Sequence, residues 1–98
     1  MRENEYQSEL KKKIEALIPG CYVLKNDPTY IQGIPDLLIL YHDRWAILEV
    51  KKSANEPHQP NQDYYIETFA QWVFSSFVFP ENEKEVLYEL QQALGASR

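Results

Sequence analysis

Asp36, Glu49 and Lys51 stand out by chemical type and spacing within the stretch GIPDLLILYHDRWAILEVKKS, residues 33–53. The stretch otherwise reads as a hairpin of two hydrophobic strands, Asp36–Tyr41 and Arg44–Lys52, turning at His42–Asp43. Strand side chains alternate between faces, so Trp45, Ile47, Glu49 and Lys51 share one side, and Ala46, Leu48, Val50 and Lys52 the other. A two-residue turn pairs Tyr41 with Arg44, and the same register sets Asp36 opposite Glu49. Cross-strand partners have Cβ atoms about 4.5–5.5 Å apart, so one small cation can reach both carboxylates, with an ammonium beside them. Two ionised carboxylates that close repel, and a divalent cation removes the conflict. Oxygen ligands suit Mg²⁺ or Mn²⁺ rather than zinc, and Mg²⁺ keeps waters that a phosphate can displace. The Val50 backbone carbonyl, at the same strand end, is a further candidate ligand. Lys51 is then suited to orient or deprotonate a water, or to stabilise charge growing on phosphorus. The plain alternative is an exposed Glu49–Lys51 pair worth less than about 1 kcal/mol. It accounts for either half of the pattern alone, but not for all three residues in one hydrophobic hairpin.

The elements that must hold this hairpin follow from periodicity. Tyr6, Leu10, Ile14, Leu17 and Ile18 form one face of a helix over 4–18, which Pro19–Gly20 ends. Residues 21–25 read as a strand and 26–35 as a polar loop with two prolines and a glycine. Residues 53–62 form a second loop. Asn61 is placed to cap a helix that carries Asp63 in its first turn and runs to about Trp72. Residues 73–79 read as a further strand, and 81–94 as a closing helix with Val86, Leu87, Leu90 and Leu94 on its buried side. The order is α-β-β-β-α-β-α, an α/β fold with a mixed sheet flanked by helices, in one domain over residues 1–98.

Composition narrows the classes. The chain has 98 residues, 44% hydrophobic, enough for one core. The longest uncharged apolar runs, Leu37–Tyr41 and Trp72–Pro80, fall far short of the roughly 20 residues needed to span a bilayer. MRENEYQSELKKK lacks the apolar segment of a signal peptide. A single cysteine, Cys21, excludes an internal disulfide and reads as a strand-core residue. These features point to a protein of the cytoplasm. The net charge is −5, and it is uneven: residues 1–52 carry eight basic and eight acidic residues, residues 53–98 two and seven. An acidic protein is an awkward nucleic-acid binder, unless the lysines of the first half gather around the Asp36–Glu49 face and the 81–94 helix lies on the far side.

Pro35-Asp36, twelve intervening residues, then Glu49-Val50-Lys51 resembles the PD-(D/E)xK nuclease signature. The whole segment 32–53, followed by Gln62-Asp63-Tyr64-Tyr65, is similar to the virus-type replication-repair nuclease (VRR-NUC) domains of that superfamily. The resemblance implies a restriction-endonuclease-like core over residues 5–90, with Asp36 and Glu49 as metal-binding acids and Lys51 as the catalytic lysine. It also implies a glutamate on the first helix to complete the site. Among Glu5, Glu9 and Glu15, Glu9 lies nearest the apolar stripe and is the choice; its plain alternative is a solvated charge paired with Lys12 or Lys13. Gln62 matches a glutamine that opens the helix after the motif lysine and positions a water or phosphate. Lys25, Tyr30, Gln32 and Lys52 are candidate DNA contacts. His58 reads as a surface histidine, and Trp72, Phe74, Phe77 and Phe79 as core or subunit-interface aromatics. The expected activity is Mg²⁺- or Mn²⁺-dependent DNA cleavage, by a homodimer resolving four-way (Holliday) junctions in DNA repair, in a phage or bacterial host. Rival readings are a less selective flap or single-strand nuclease, and a non-catalytic DNA- or protein-binding module, including an acidic DNA mimic.

Overall fold

The structure, a computed structural model, describes residues 2–96. The chain runs α1 (Glu3–Leu17), β1 (Tyr22–Lys25), β2 (Leu37–Tyr41), β3 (Arg44–Val50), α2 (Gln62–Ala70), β4 (Phe74–Val78) and α3 (Glu83–Ala93). This is the expected order in an α/β fold. Every element is slightly shorter than its periodicity suggested, except α1, which has the same length but starts one residue earlier. Among the described residues, no helix is long and apolar enough to cross a membrane.

The strands form one mixed sheet in the order β1-β2-β3-β4. β1 and β2 are antiparallel, as are β2 and β3, while β4 joins β3 in parallel. That parallel step requires a crossover, which α2 supplies. The hairpin register is the anticipated one, Tyr41 opposite Arg44 and Leu37 opposite Leu48. His42 takes a left-handed φ of 56° in the turn. One sheet face carries Val23, Leu37, Ile39, Ala46, Leu48 and Val50. It packs with Tyr6, Leu10 and Ile14 of α1 and Val86 and Leu90 of α3 into a single buried cluster. Full burial of each aliphatic side chain there contributes about 1.5–3 kcal/mol. α1 and α3 are also tied by polar bonds: the Tyr6 hydroxyl donates to Glu83 Oε1 at 2.8 Å, and Lys13 Nζ donates to Glu83 Oε2 at 2.8 Å.

α2 covers the opposite face over β3 and β4. Trp45 meets Phe69 edge-on at 5.9 Å, and the Ser75 hydroxyl donates to the Ile66 carbonyl at 2.8 Å. Among the described residues nothing covers the β1–β2 part of this face, and Tyr22, Leu24 and Leu40 are exposed there. One local expectation changes. Asn61 does not cap α2 through its side chain; it sits in the left-handed region (φ 71°), and its carbonyl accepts the Tyr65 N–H at 3.0 Å. The reason lies in Gly33, whose φ of 87° lets the loop before Asp36 press against Pro60 and Asn61. A Cβ at Gly33 would stand 2.6 Å from Asn61 Cβ and 2.8 Å from the Pro60 carbonyl oxygen. Glycine is therefore required where the segment leading to Asp36 meets the segment leading to Gln62.

Candidate active site

Asp36 immediately precedes β2, and the β2–β3 register carries it to the level of Glu49. The carboxylate of Asp36 accepts the Val50 N–H at 2.9 Å, which fixes it across the end of β3. The side chains of Asp36 and Glu49 are within hydrogen-bonding reach of each other. Glu49 is 4% exposed. Its Oε2 accepts from Gln62 Nε2 at 2.8 Å, while its Oε1 is buried without a donor. Burial, reinforced by the Asp36 charge, pushes the Glu49 carboxyl up to about 8, against the pull of Lys51. Burial also raises Asp36, although the Val50 N–H, Glu49 and Lys51 hold it down in part.

Lys51 follows β3 and is the largest fully buried side chain, 2% exposed. A buried ammonium needs acceptors, and three converge on Nζ: Gln62 Oε1 at 2.7 Å, the Pro57 carbonyl at 3.2 Å and Glu56 Oε2 at 3.5 Å. Gln62 thus bridges the motif lysine and the motif glutamate with the two ends of one amide. Its own Oε1 also accepts the Gln59 N–H at 2.7 Å.

The helix glutamate that reaches this cluster is Glu3, not Glu9. Glu9 is exposed and acts on Lys13. Glu3 is partly buried, its Oε1 has no donor, and it feels Glu56, Asp36 and Lys51. Burial first, then the contact with Glu56, raises its carboxyl to about 7. The reason is helical phase. At 100° per residue Glu3 stands in line with Gln7, Leu10 and Ile14, the buried stripe, whereas Glu9 lies about 100° from Leu10. A helix started at residue 4 leaves Glu3 out of consideration, and the one-residue shift brings it in. Glu56 is the other residue that pattern reading missed. Its Oε1 accepts the Lys52 N–H at 2.7 Å. Burial raises its carboxyl, but the Lys52 N–H, Glu3 and Lys51 outweigh that and hold it below its usual range. Nothing in its sequence neighbourhood marks it.

A groove of about 850 Å³ opens beside this cluster, lined among others by Arg2, Glu3, Glu5, Lys52 and Glu56. The anticipated gathering of lysines is only partial. Lys52 lines the groove and Lys25 acts on Asp36, but Lys11 is paired with Glu15 and Lys13 with Glu83. The acidic α3 is tied to α1 through Glu83. Tyr30 is 87% exposed and Gln32 is exposed, both in the loop before Asp36 and outside the bonded cluster. His58 is exposed, as expected of a surface histidine, and its ring also stacks on Phe77 while its Nδ1 lies 2.8 Å from Asp63 Oδ1.

Among the described residues no group of three or more His, Cys, Asp or Glu side chains forms a ready metal cage. The residues present nevertheless fit a hard divalent cation. Asp36 and Glu49 face each other as acceptors, and Glu49 Oε1 is buried without a donor. Mg²⁺ characteristically takes one or two carboxylates and completes its shell with water and phosphate.

A solved structure described as a VRR_NUC domain is 31% identical to the chain, covering 91% of it and 94% of the other, with a TM-score of 0.67. A second, described as a VRR_NUC domain protein, is 20% identical and covers 99% of this chain and 91% of that one. Its TM-score is also 0.67, and at that identity the likeness is one of fold. No family model and no curated protein matched the chain.

Proposed function

The chain belongs to the VRR_NUC domain family, and on that footing we propose that it is a divalent-metal-dependent endonuclease hydrolysing DNA phosphodiester bonds. The observation that carries the reading is the convergence of Asp36, Glu49 and Lys51, two carboxylates in mutual reach beside a fully buried ammonium. Asp36 and Glu49 would hold Mg²⁺ or Mn²⁺, with the Val50 carbonyl and Glu3 as supporting ligands; bound there, the ion would polarise a phosphoryl oxygen and acidify a water. Lys51 places a buried positive charge beside the two carboxylates, held by Gln62, Pro57 and Glu56; to reach the attacking water or the phosphorane-like charge its ammonium would release the longest of these contacts, the 3.5 Å one to Glu56. Gln62 fixes the separation between Lys51 and Glu49 by bonding both. The groove beside them is the approach for the sugar–phosphate backbone, with Arg2 and Lys52 as its phosphate contacts.

The preferred substrate in this reading is a four-way junction cut by a homodimer. The support is the family resemblance, together with the apolar surface left bare at Tyr22, Leu24 and Leu40 and at Trp72, 65% exposed. Two sites on a two-fold axis suit symmetric cleavage. The acidic wall of the groove favours one competing reading, a DNA-mimicking module that binds proteins. Labelled four-way junction, flap, duplex and single-stranded DNA, each incubated with Mg²⁺ or Mn²⁺, discriminate these. Paired symmetric nicks support a resolvase, and cutting of flaps or single strands keeps the chemistry but changes the substrate. No cutting in either metal overturns the nuclease reading.

A further inference from the structure

We propose that His58 is a positioning residue that locks the 53–61 loop in the conformation that holds Lys51 and Gln62. Its consequence for catalysis rests on the nuclease reading, but the lock itself is a property of the fold.

Both chain neighbours of His58 serve the site. On one side, the Pro57 carbonyl accepts from Lys51 Nζ at 3.2 Å; on the other, the Gln59 N–H donates to Gln62 Oε1 at 2.7 Å. The backbone flanking His58 therefore supplies one contact to the lysine and one to the glutamine that bridges it to Glu49. These contacts are useful only if the loop stays in place, yet residues 53–61 form no helix or strand and include Pro57 and Pro60. The His58 side chain anchors the loop to both neighbouring elements. Its ring stacks on Phe77 of β4, with centroids 4.1 Å apart and planes at 15°. Its Nδ1 lies 2.8 Å from Asp63 Oδ1, in the first turn of α2 and next to Gln62. Phe77 is the β4 partner of Glu49, so the anchor stands on the sheet directly beside the metal-binding glutamate. Glu56 ties the same loop to the Lys52 N–H, but from the groove side. Without the His58 anchor, the loop keeps its ties at Ala54, Glu56 and Pro60, but the 57–59 stretch loses its side-chain hold on β4 and α2, and Lys51 loses part of the fixed geometry that orients it. A misplacement of about 1 Å costs on the order of 100-fold in rate.

The test uses the full chain with three substitutions, His58→Ala, His58→Phe and His58→Gln, read in two ways. Without DNA, ¹⁵N NMR follows the Gln62 side-chain NH₂ resonances and hydrogen exchange of the Gln59 N–H. The expected result is a shifted Gln62 signal and faster Gln59 exchange in His58→Ala, with β2 and β3 amides unchanged. His58→Phe, which keeps the stack, should retain most of the protection, and His58→Gln, which keeps a polar reach to Asp63, less of it. In cleavage assays, His58→Ala should lower kcat by about 10–100-fold with little change in KM, and His58→Phe should recover most of it. Gln62 and Gln59 signals unchanged in His58→Ala would overturn the lock. So would equal losses of kcat in His58→Ala and His58→Phe with Gln59 protection intact, because the imidazole would then be acting on the substrate itself. If the wild-type protein cuts no DNA, the nuclease reading fails, while the NMR measurements still decide the lock. If His58→Ala does not fold, the ranking of His58→Phe over His58→Gln in Gln59 protection decides it.

Discussion

Glu49 makes the metal-free protein's stability depend on pH in an unusual direction for a carboxylate. Burial and Asp36 raise its folded value to about 8, from an ordinary value of 4.5. A group with a raised folded pKa binds its proton more tightly in the native state. Its contribution is therefore complete below about pH 4.5 and is lost as pH rises through about 8. Glu3, raised to about 7, acts in the same direction. A tenfold difference in proton affinity between folded and unfolded chains is worth roughly 1.4 kcal/mol. Part of the rise at Glu49 comes from the Asp36 charge, and solvent in the adjoining groove screens it. We therefore take on the order of 3 kcal/mol between pH 5 and pH 9, or a Tm lower by roughly 10–20 °C in a domain of this size. The assay is thermal unfolding in chelator across that pH range, for the wild type and for Glu49→Gln, whose amide mimics the neutral acid. The wild type should lose stability as pH rises, and the variant should keep only the shallower slope that Glu3 contributes. Saturating Mg²⁺ at pH 8 should restore about 2–3 kcal/mol to the wild type alone, the linkage expected at about 100 times Kd. A wild-type profile that is flat or rising, or a Glu49→Gln profile with the same slope, would show that Glu49 does not hold a proton in the folded state.

Other perturbations have equally definite outcomes. Gly33→Ala forces a side chain into a left-handed position against the Pro60–Asn61 backbone; chemical denaturation should give a loss of about 2–3 kcal/mol, with weaker metal binding by calorimetry because Asp36 and Gln62 both move. Lys51→Met preserves buried volume and removes the ammonium; cleavage should fall by about 100-fold or more, while metal binding without DNA persists. Glu83→Gln weakens the acceptor shared by Tyr6 and Lys13 between α1 and α3, which urea titration should register as about 1 kcal/mol. DNA affinity should be poor without divalent metal, because Glu3, Glu5 and Glu56 oppose phosphates along the groove, and its salt dependence should be shallow, since Arg2 and Lys52 are the cations that line it; filter binding in Ca²⁺ against chelator, over a range of salt, measures this.

The hairpin and its site pair were legible because strand alternation and a two-residue turn fix which residues meet. Those constraints are local, and they set Asp36 against Glu49 before any tertiary contact is known. The elements followed for the same reason, since the stripes of α1 and α3 and the β-rich runs have clear periods. What pattern reading missed lay in the phase at the start of α1 and in loops. Glu3 depends on whether the helix starts at residue 3 or 4, which propensity does not decide. Glu56, His58 and the left-handed Asn61 depend on how the 53–61 loop folds back over Lys51. That path is set by long-range partners, Phe77, Asp63 and Gly33, rather than by neighbours in sequence. The anticipated basic face assumed that the lysines of the first half of the chain gather around the motif. Lys11 and Lys13 instead pair with Glu15 and Glu83.

The function proposed for the chain stands or falls on Asp36, Glu49 and Lys51 forming together a metal-dependent phosphodiester-cleaving centre. Cleavage of labelled branched DNA over a titration of Mg²⁺ or Mn²⁺, by the wild type, Glu49→Gln and Lys51→Met, probes that centre without an intermediary. Cleavage should rise with metal in the wild type, be abolished in Glu49→Gln and fall by about 100-fold or more in Lys51→Met. Cleavage that survives chelator, or that Glu49→Gln retains at full rate, would mean that the centre lies elsewhere.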